Sequence, residues 1–276
     1  MATTSSDAAT EPWIPAWDGA AYAANTSHHR EHDRWFLEHF PIRPADRLLD
    51  LACGSGDFTQ VLADLVPDGE VVGLDAQPSM IDEARVGARS NQSFVVGPVQ
   101  DLARLFPAPE ADGSFSAVCS RSALHWVPAD DHPGVLAEAH RLLEPGGWLR
   151  IECGGAGNVI TIVETFDRIA AGYGGPTAPW TFLTAGAYLE MTERAGFVLG
   201  DDGYVRTVAQ RRAFDRESLT GWLQSQAIEA YAIGIDPAER DAFRAEVVER
   251  VDEFARHDGT YDQTYVRLDL LVRKPG

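Results

Sequence analysis

The stretch Leu48-Leu49-Asp50-Leu51-Ala52-Cys53-Gly54-Ser55-Gly56 decides the fold of this chain. Four apolar or acidic residues read as a buried strand. Gly54 and Gly56 then let the backbone turn tightly against a ligand, and Asp57 to Leu65 continue with helical spacing of Phe58, Val61, Leu62 and Leu65. A second buried strand, Glu70-Val71-Val72-Gly73-Leu74-Asp75, ends on an acid 19 residues beyond Gly56. A carboxylate at the tip of the second strand is placed to bind ribose hydroxyls. Strand, glycine loop, helix, strand and acid together predict a nucleoside site in a doubly wound sheet.

The rest of the chain keeps the same rhythm. Strands are expected at 46–52, 70–75, 94–96, 115–119 and 148–152, with helices at 57–66, 78–89 and 131–143 between them. Such alternation implies a parallel sheet covered on both faces by right-handed crossovers. After Gly157 it breaks. Residues 158–183 form a first cap insert, helix 184–195 stopping at Gly196 and strand 197–206 resume the core, and 215–257 form a second helical insert before a last strand at 265–274. The division is therefore an N-terminal tail and lid helix at 1–40, a core at 41–157, an insert at 158–183, core again at 184–212, an insert at 213–262 and a final strand at 263–276.

Composition narrows the function. With 23 basic and 42 acidic residues in 276, the net charge of −19 repels phosphate backbones and anionic membranes, so nucleic acid and membrane are not expected partners. No apolar run nears the roughly 20 residues that span a bilayer. The first twelve residues, rich in Ala, Thr, Ser and acid, lack the basic and apolar regions of a signal peptide. Three cysteines without close spacing (Cys53, Cys119, Cys153) suit a reduced, cytoplasmic protein, with inert thiols in preference to a metal site.

The motifs resemble the class I, Rossmann-like S-adenosylmethionine-dependent methyltransferases. The matching residues are Leu49 to Gly56, Val71 to Asp75, Pro78 to Ile81, and Arg141 to Gly147. Ser122-Ala123-Leu124-His125-Trp126-Val127 is similar to the small-acid carboxyl methyltransferases of the trans-aconitate type. The resemblance implies a seven-stranded, mostly parallel α/β sheet with the last strand antiparallel beside the fifth and helical cap inserts. S-adenosyl-L-methionine is the implied cofactor and a small-molecule hydroxyl or carboxylate the implied acceptor. Gly54 and Gly56 would approach the methionine part, Asp75 the ribose, and Asp50 the glycine loop and the ammonium; Ala52, Ala76 and Ser120 at strand ends would complete the contacts. One departure stands out. The family often carries an acid after the glycine that ends strand three, whereas Gly97 here precedes Pro98, so Gln100 or Asp101 is expected to substitute at the adenine.

Each candidate also has a plainer reading. His125, after strand four, has a pKa near 6.5 unless perturbed, suited to a general base; it equally suits a rim histidine that only hydrogen-bonds substrate. Trp126, Tyr173, Trp180 and Trp222 are candidate walls of the acceptor pocket, or cap core, as are Gln226 and Tyr231. Glu152 at the tip of strand five binds substrate or solvent. Tyr22, with Trp17, His28 and His29, belongs to a leader that folds over the cofactor in the resembling family, and an aromatic face suits a sulfonium. Two rivals stay open. A dinucleotide oxidoreductase would want Gly or Ala where Thr59 stands, and a pyrophosphate away from Asp50. A non-catalytic S-adenosylmethionine-binding protein would keep the fold without the chemistry. Oligomeric state is not legible.

Overall fold

The computed structural model describes residues 29–276. A leader helix α1 (His29–Leu37) precedes β1 (Arg47–Leu51), α2 (Asp57–Leu65), β2 (Glu70–Asp75), α3 (Pro78–Ala84) and β3 (Gln92–Val96). Then come α4 (Leu102–Leu105), β4 (Phe115–Arg121), α5 (His132–Leu142) and β5 (Leu143–Gly154). The first insert is carried by α6 (Ile160–Ala171), and α7 (Ala185–Arg194) leads to β6 (Tyr204–Arg212). The second insert holds α8 (Arg216–Trp222), a π-helical turn Leu223–Ala227, α9 (Ile228–Ala232) and α10 (Arg240–Glu249), before β7 (Gln263–Arg273) closes the sheet.

The seven strands lie in the order β3-β2-β1-β4-β5-β7-β6, with β7 antiparallel to both neighbours. That is the expected doubly wound sheet with its antiparallel strand beside the fifth. Chain direction outward from β1 reverses between β1 and β4, so the helices leave opposite faces there and a crevice opens at the strands' carboxyl ends. Register puts Asp50 of β1 between Gly73 of β2 and Cys119 of β4. Gly73 is required at that place: a Cβ would meet the Phe94 ring at 2.7 Å and Cys53 Sγ at 3.0 Å.

Two apolar clusters cover the sheet. One joins Leu49, Leu51, Val118 and Ile151 to α5 and α7 through Leu136 and Tyr188; the other joins Leu48, Val71 and Ala117 to α1 and α2 through Phe36, Phe58 and Leu62. The inserts form a third cluster of their own, in which Phe166 stacks on Tyr231 at 4.6 Å and meets Phe254 edge-on. Arg150 of β5 ties α1 to the sheet: fully buried, it pairs with Asp269 of β7 and donates from Nε to the Phe36 carbonyl at 3.2 Å. Its charge lies 4.2 Å from the Phe36 ring centroid.

Two expected elements differ. The strand expected at 197–206 begins only at Tyr204, because Gly200-Asp201-Asp202-Gly203 makes a turn first; Val198 contributes a single bridge to Arg273. The helix expected to reach residue 89 ends at Ala84, before Gly87 takes a left-handed φ of 74°.

Candidate active site

The crevice at the strand tips is a cavity lined on one side by β1, β2 and their loops and on the other by the inserts. The first half is held together by carboxylates. Asp75, at the tip of β2, accepts the Gly54 amide on Oδ2 and the Gln77 amide on Oδ1, each at 2.9 Å. It thereby fixes the glycine loop, where Ala52, Gly54 and Gly56 all take left-handed φ values of 56°, 58° and 81°. Burial raises the Asp75 carboxyl above its usual range. Asp50 is 2% exposed, yet its carboxylate borders the cavity. Thr59 Oγ1 donates to its Oδ2 at 2.7 Å, which explains the hydroxyl residue at that helical position. Burial outweighs that bond and the nearby Arg121 charge, and the Asp50 pKa is pushed up to about 6.

Gln100 borders the same half. Its Nε2 donates to Asp131 at 3.1 Å, which orients the amide, and its Oε1 is buried without a partner among the described residues. A buried amide oxygen left unmet costs about 1–3 kcal/mol, so it marks a place where a ligand N–H is welcome. Pro98 and Val99 border the cavity as well. Acids for a cationic ligand, a left-handed glycine loop at the cavity wall, and an unmet acceptor together fit an amino-acid-bearing nucleoside.

His125 stands in a short helical turn Leu124–Trp126 beyond β4, where the second half begins. Its Nδ1 accepts the Gly154 amide at 3.2 Å. A neutral ring accepting there carries its proton on Nε2, so it is a donor toward its remaining side. Burial, with Arg267 nearby, drives its pKa down to about 3. In this geometry the one lone pair of the neutral ring is engaged by the Gly154 amide, an arrangement that suits the rim histidine that hydrogen-bonds substrate better than the general base. Trp126 and Phe182 flank the imidazole, each 5.8 Å away between centroids, and Trp180 stacks on Phe182.

Of the expected residues, Asp50, Ala52, Gly54, Asp75, Ala76, Gln100, His125, Trp126, Trp180 and Trp222 all line the cavity, and Gln226 with them. Gly56, Asp101, Ser120 and Tyr173 do not. Gly56 starts α2 with its Cα against Ala84, and an added Cβ there would meet the Ala84 Cβ at 2.8 Å. Asp101 is taken by Arg104 at 2.7 Å. Ser120 is fully buried and donates to the Leu51 carbonyl at 2.9 Å, inside the sheet. Tyr173 belongs to the insert, where its hydroxyl donates to Glu246 at 2.6 Å. Tyr231 is likewise insert core. Glu152 faces neither substrate nor solvent, being 1% exposed and paired with Arg267. Tyr22, Trp17 and His28 lie outside the described residues, as does the His29 side chain.

Sequence reasoning missed Asn158, Phe182, Arg212, Tyr265 and Arg267, all of which border the cavity. The alternation along β7 held a signal: Tyr265 and Arg267 are two apart, so both leave the same face. Among the described residues no group of three or more His, Cys, Asp or Glu side chains is arranged to hold a metal, and no helix is long and apolar enough to cross a membrane.

Comparison with known proteins gives a consistent picture. Residues 48–147 match a family model described as a methyltransferase domain. An uncharacterized methyltransferase of Schizosaccharomyces pombe is 28% identical over 267 residues, covering 94% of this chain and 98% of that protein. A trans-aconitate 2-methyltransferase of Deinococcus radiodurans is 29% identical over 216 residues, 74% of this chain and 77% of its own length. Among solved structures, a Haemonchus contortus phosphoethanolamine N-methyltransferase holding phosphomonomethylethanolamine and S-adenosylhomocysteine superposes with a TM-score of 0.55. It is 16% identical, and the match covers 89% of this chain and 53% of that one.

Proposed function

We propose that this chain, a class I methyltransferase that takes S-adenosyl-L-methionine as its methyl donor, methylates an oxygen of a small organic acid. The observation that carries the reading is the polarity of the cavity. Asp50 and Asp75 supply carboxylates at the tips of β1 and β2, with Arg121 paired to Asp33 beside them, and Arg212 and Arg267 of β6 and β7 lie toward the aromatic inserts. A cationic donor and an anionic acceptor are thereby sorted to opposite ends. The relatives named for trans-aconitate support an acid as acceptor.

In this reading Asp75 binds the ribose hydroxyls with the lone pairs its two amide partners leave over. Asp50 faces the amino-acid ammonium, and Gln100 Oε1 meets the adenine amine in place of the family's usual acid. When bound, the cofactor supplies an electrophilic methyl on a sulfonium. The chain has to align an acceptor oxygen with it and exclude water. A carboxylate acceptor is ionised already and needs no base, which agrees with a His125 that donates from Nε2. That N–H holds the second carboxylate oxygen and so orients the first. Trp126 and Phe182 hold the ring of His125 and keep the site dry. Methyl transfer to an ionised carboxylate releases no proton, and a cytoplasmic setting suits the three free cysteines.

A dinucleotide oxidoreductase loses its footing: Thr59 serves Asp50, and that buried carboxylate would face a pyrophosphate. The test is incubation with radiolabelled S-adenosylmethionine and a panel of small acids, reading labelled ester and S-adenosylhomocysteine together. Label in an acid-derived ester is the expected result. Saturable binding of NAD(H) with no binding of S-adenosylmethionine would overturn the proposal.

A further inference from the structure

Asn158, in the loop that follows β5, is 5% exposed and borders the cavity. Its Oδ1 accepts the Val266 amide of β7 at 3.0 Å. That bond fixes the side-chain amide, because an N–H donor can face only its oxygen, and Nδ2 turns the other way with two N–H groups. Nδ2 donates to no acceptor among the described residues.

The loop that carries Asn158 is tied down on both sides of it. The Gly155 amide donates to the Val266 carbonyl at 2.8 Å, and the Val159 amide to the Thr264 carbonyl at 2.9 Å. Val159 takes a left-handed φ of 42°, an outlier for a β-branched residue. Such strain persists only where the surroundings over-determine it, and it gathers at functional sites. Here Val159 is buried in the cap cluster at the start of α6, and it sets the preceding Asn158 on the cavity wall.

His125 comes to the same place from beyond β4. Its Nδ1 accepts the Gly154 amide at 3.2 Å, while a Cβ built on Gly154 would lie 2.9 Å from Asn158 Nδ2 and 2.6 Å from the Phe182 ring. Only glycine lets these side chains close on that point. The His125 Nε2 proton also meets no acceptor among the described residues. Two neutral, unmet donors therefore flank one residue of β5. Arg267, in register with Gly154 on β7, adds no net charge because Glu152 neutralises it. Donors left without an acceptor call for a ligand that brings lone pairs. A protonated amine offers none, whereas a single carboxylate oxygen offers two.

Resting on the carboxylate-methylation reading above, we propose that Asn158 is a substrate-binding residue whose Nδ2 donates to the same carboxylate oxygen that His125 Nε2 holds. The other oxygen keeps its lone pairs free to accept the methyl. Asn158 thereby orients the acceptor and favours acids over amines.

The experiment is calorimetry on the full chain loaded with S-adenosylhomocysteine, with trans-aconitate and cinnamate as probes, repeated on Asn158→Asp and Asn158→Ala. Asn158→Asp keeps an oxygen for the Val266 amide but puts a carboxylate where the donor stood. At pH 8 it should weaken the tighter-bound acid about 100-fold or more, and Asn158→Ala about 10-fold, the range for a hydrogen bond to a charged group. Both variants should keep the unaltered affinity for S-adenosylhomocysteine, which shows that they fold. A purely structural Asn158 reverses the order, since aspartate preserves the bond to Val266 and alanine loses it. That reversed order overturns the proposal, as does an unchanged acid affinity in Asn158→Asp or a failure of both acids to bind the unaltered chain. Should Asn158→Asp lose S-adenosylhomocysteine as well, Asn158→Ala decides. Loss of the acid alone upholds the clamp, and equal loss of both ligands overturns it. If the unaltered chain does not bind S-adenosylhomocysteine, the methyl-transfer reading falls instead, and acid binding to the chain alone then decides the role of Asn158.

Discussion

The two halves of the cavity are built in different ways. The half proposed for the cofactor is made of segments close in sequence: β1, its glycine loop, β2, the first turn of α3 and the turn at 98–100 all lie within residues 47–100. Its polar contacts are mostly backbone amides and one carboxylate per strand tip, as in Gly54 and Gln77 to Asp75. The acceptor half draws Trp126, Trp180, Arg212, Trp222 and Tyr265 from five separate segments over 140 residues of chain. It is walled by side chains on a cap with its own apolar cluster. A site held by backbone geometry tolerates little change in ligand. One walled by inserted side chains is free to diverge.

Breaking the contrast is most direct at Asp75. Asp75→Ala removes the acceptor for the Gly54 and Gln77 amides and for the ribose at once. The cofactor dissociation constant should rise by about 100-fold or more, the range for charged hydrogen bonds, while binding of a small-acid acceptor changes far less. Equal loss of both ligands by calorimetry would show that the halves are one coupled site.

His125→Ala should lower turnover by about 10- to 100-fold with little change in cofactor affinity, and His125→Gln, which keeps an N–H donor, should recover part of it. The pH profile separates donor from base. A ring whose pKa is near 3 shows no limb between pH 5 and 8, whereas a base would give a rising limb near 6.5.

Asp50 sharpens the contrast through its pKa of about 6. Only the charged form attracts the cofactor's ammonium, so affinity should rise several-fold from pH 5 to pH 7.5. Thr59→Val removes a donor to the carboxylate, raises that pKa further and shifts the midpoint upward. Stability of the ligand-free chain runs the other way. The folded pKa is raised from 3.8, so the Asp50 contribution is present below about pH 4 and is lost as pH climbs through 6. Asp50→Asn should then melt later than the unaltered chain at pH 7.5, by of order 1–2 kcal/mol, yet bind cofactor more weakly. Thermal melts at pH 4.5 and 7.5 check the sign.

The smallest effect is expected at Tyr173. Tyr173→Phe gives up the hydrogen bond to Glu246 in the cap, worth about 1 kcal/mol, and leaves turnover unchanged. A change in acceptor affinity would return this residue to the pocket.

The antiparallel last strand was implied by the family resemblance; by itself the sequence determined the alternation of strands and helices, the glycine loop, and the acids Asp50 and Asp75 on the first two strands. Each is written in local patterns: apolar runs of strand length, glycines where the backbone must turn, and acids at fixed offsets. What only the tertiary structure decided is which side chains meet across long separations. Glu152 and Arg267, 115 residues apart, neutralise each other, and Arg212 does not share that fate. The Gly154 amide, 29 residues away, decides which nitrogen of His125 carries the proton, and burial keeps the ring neutral. Tyr173 and Trp180 stand seven positions apart in one insert, yet one fills the cap and the other faces the cavity. Burial and charge depend on the sum of all neighbours in space, and no window of sequence contains that sum.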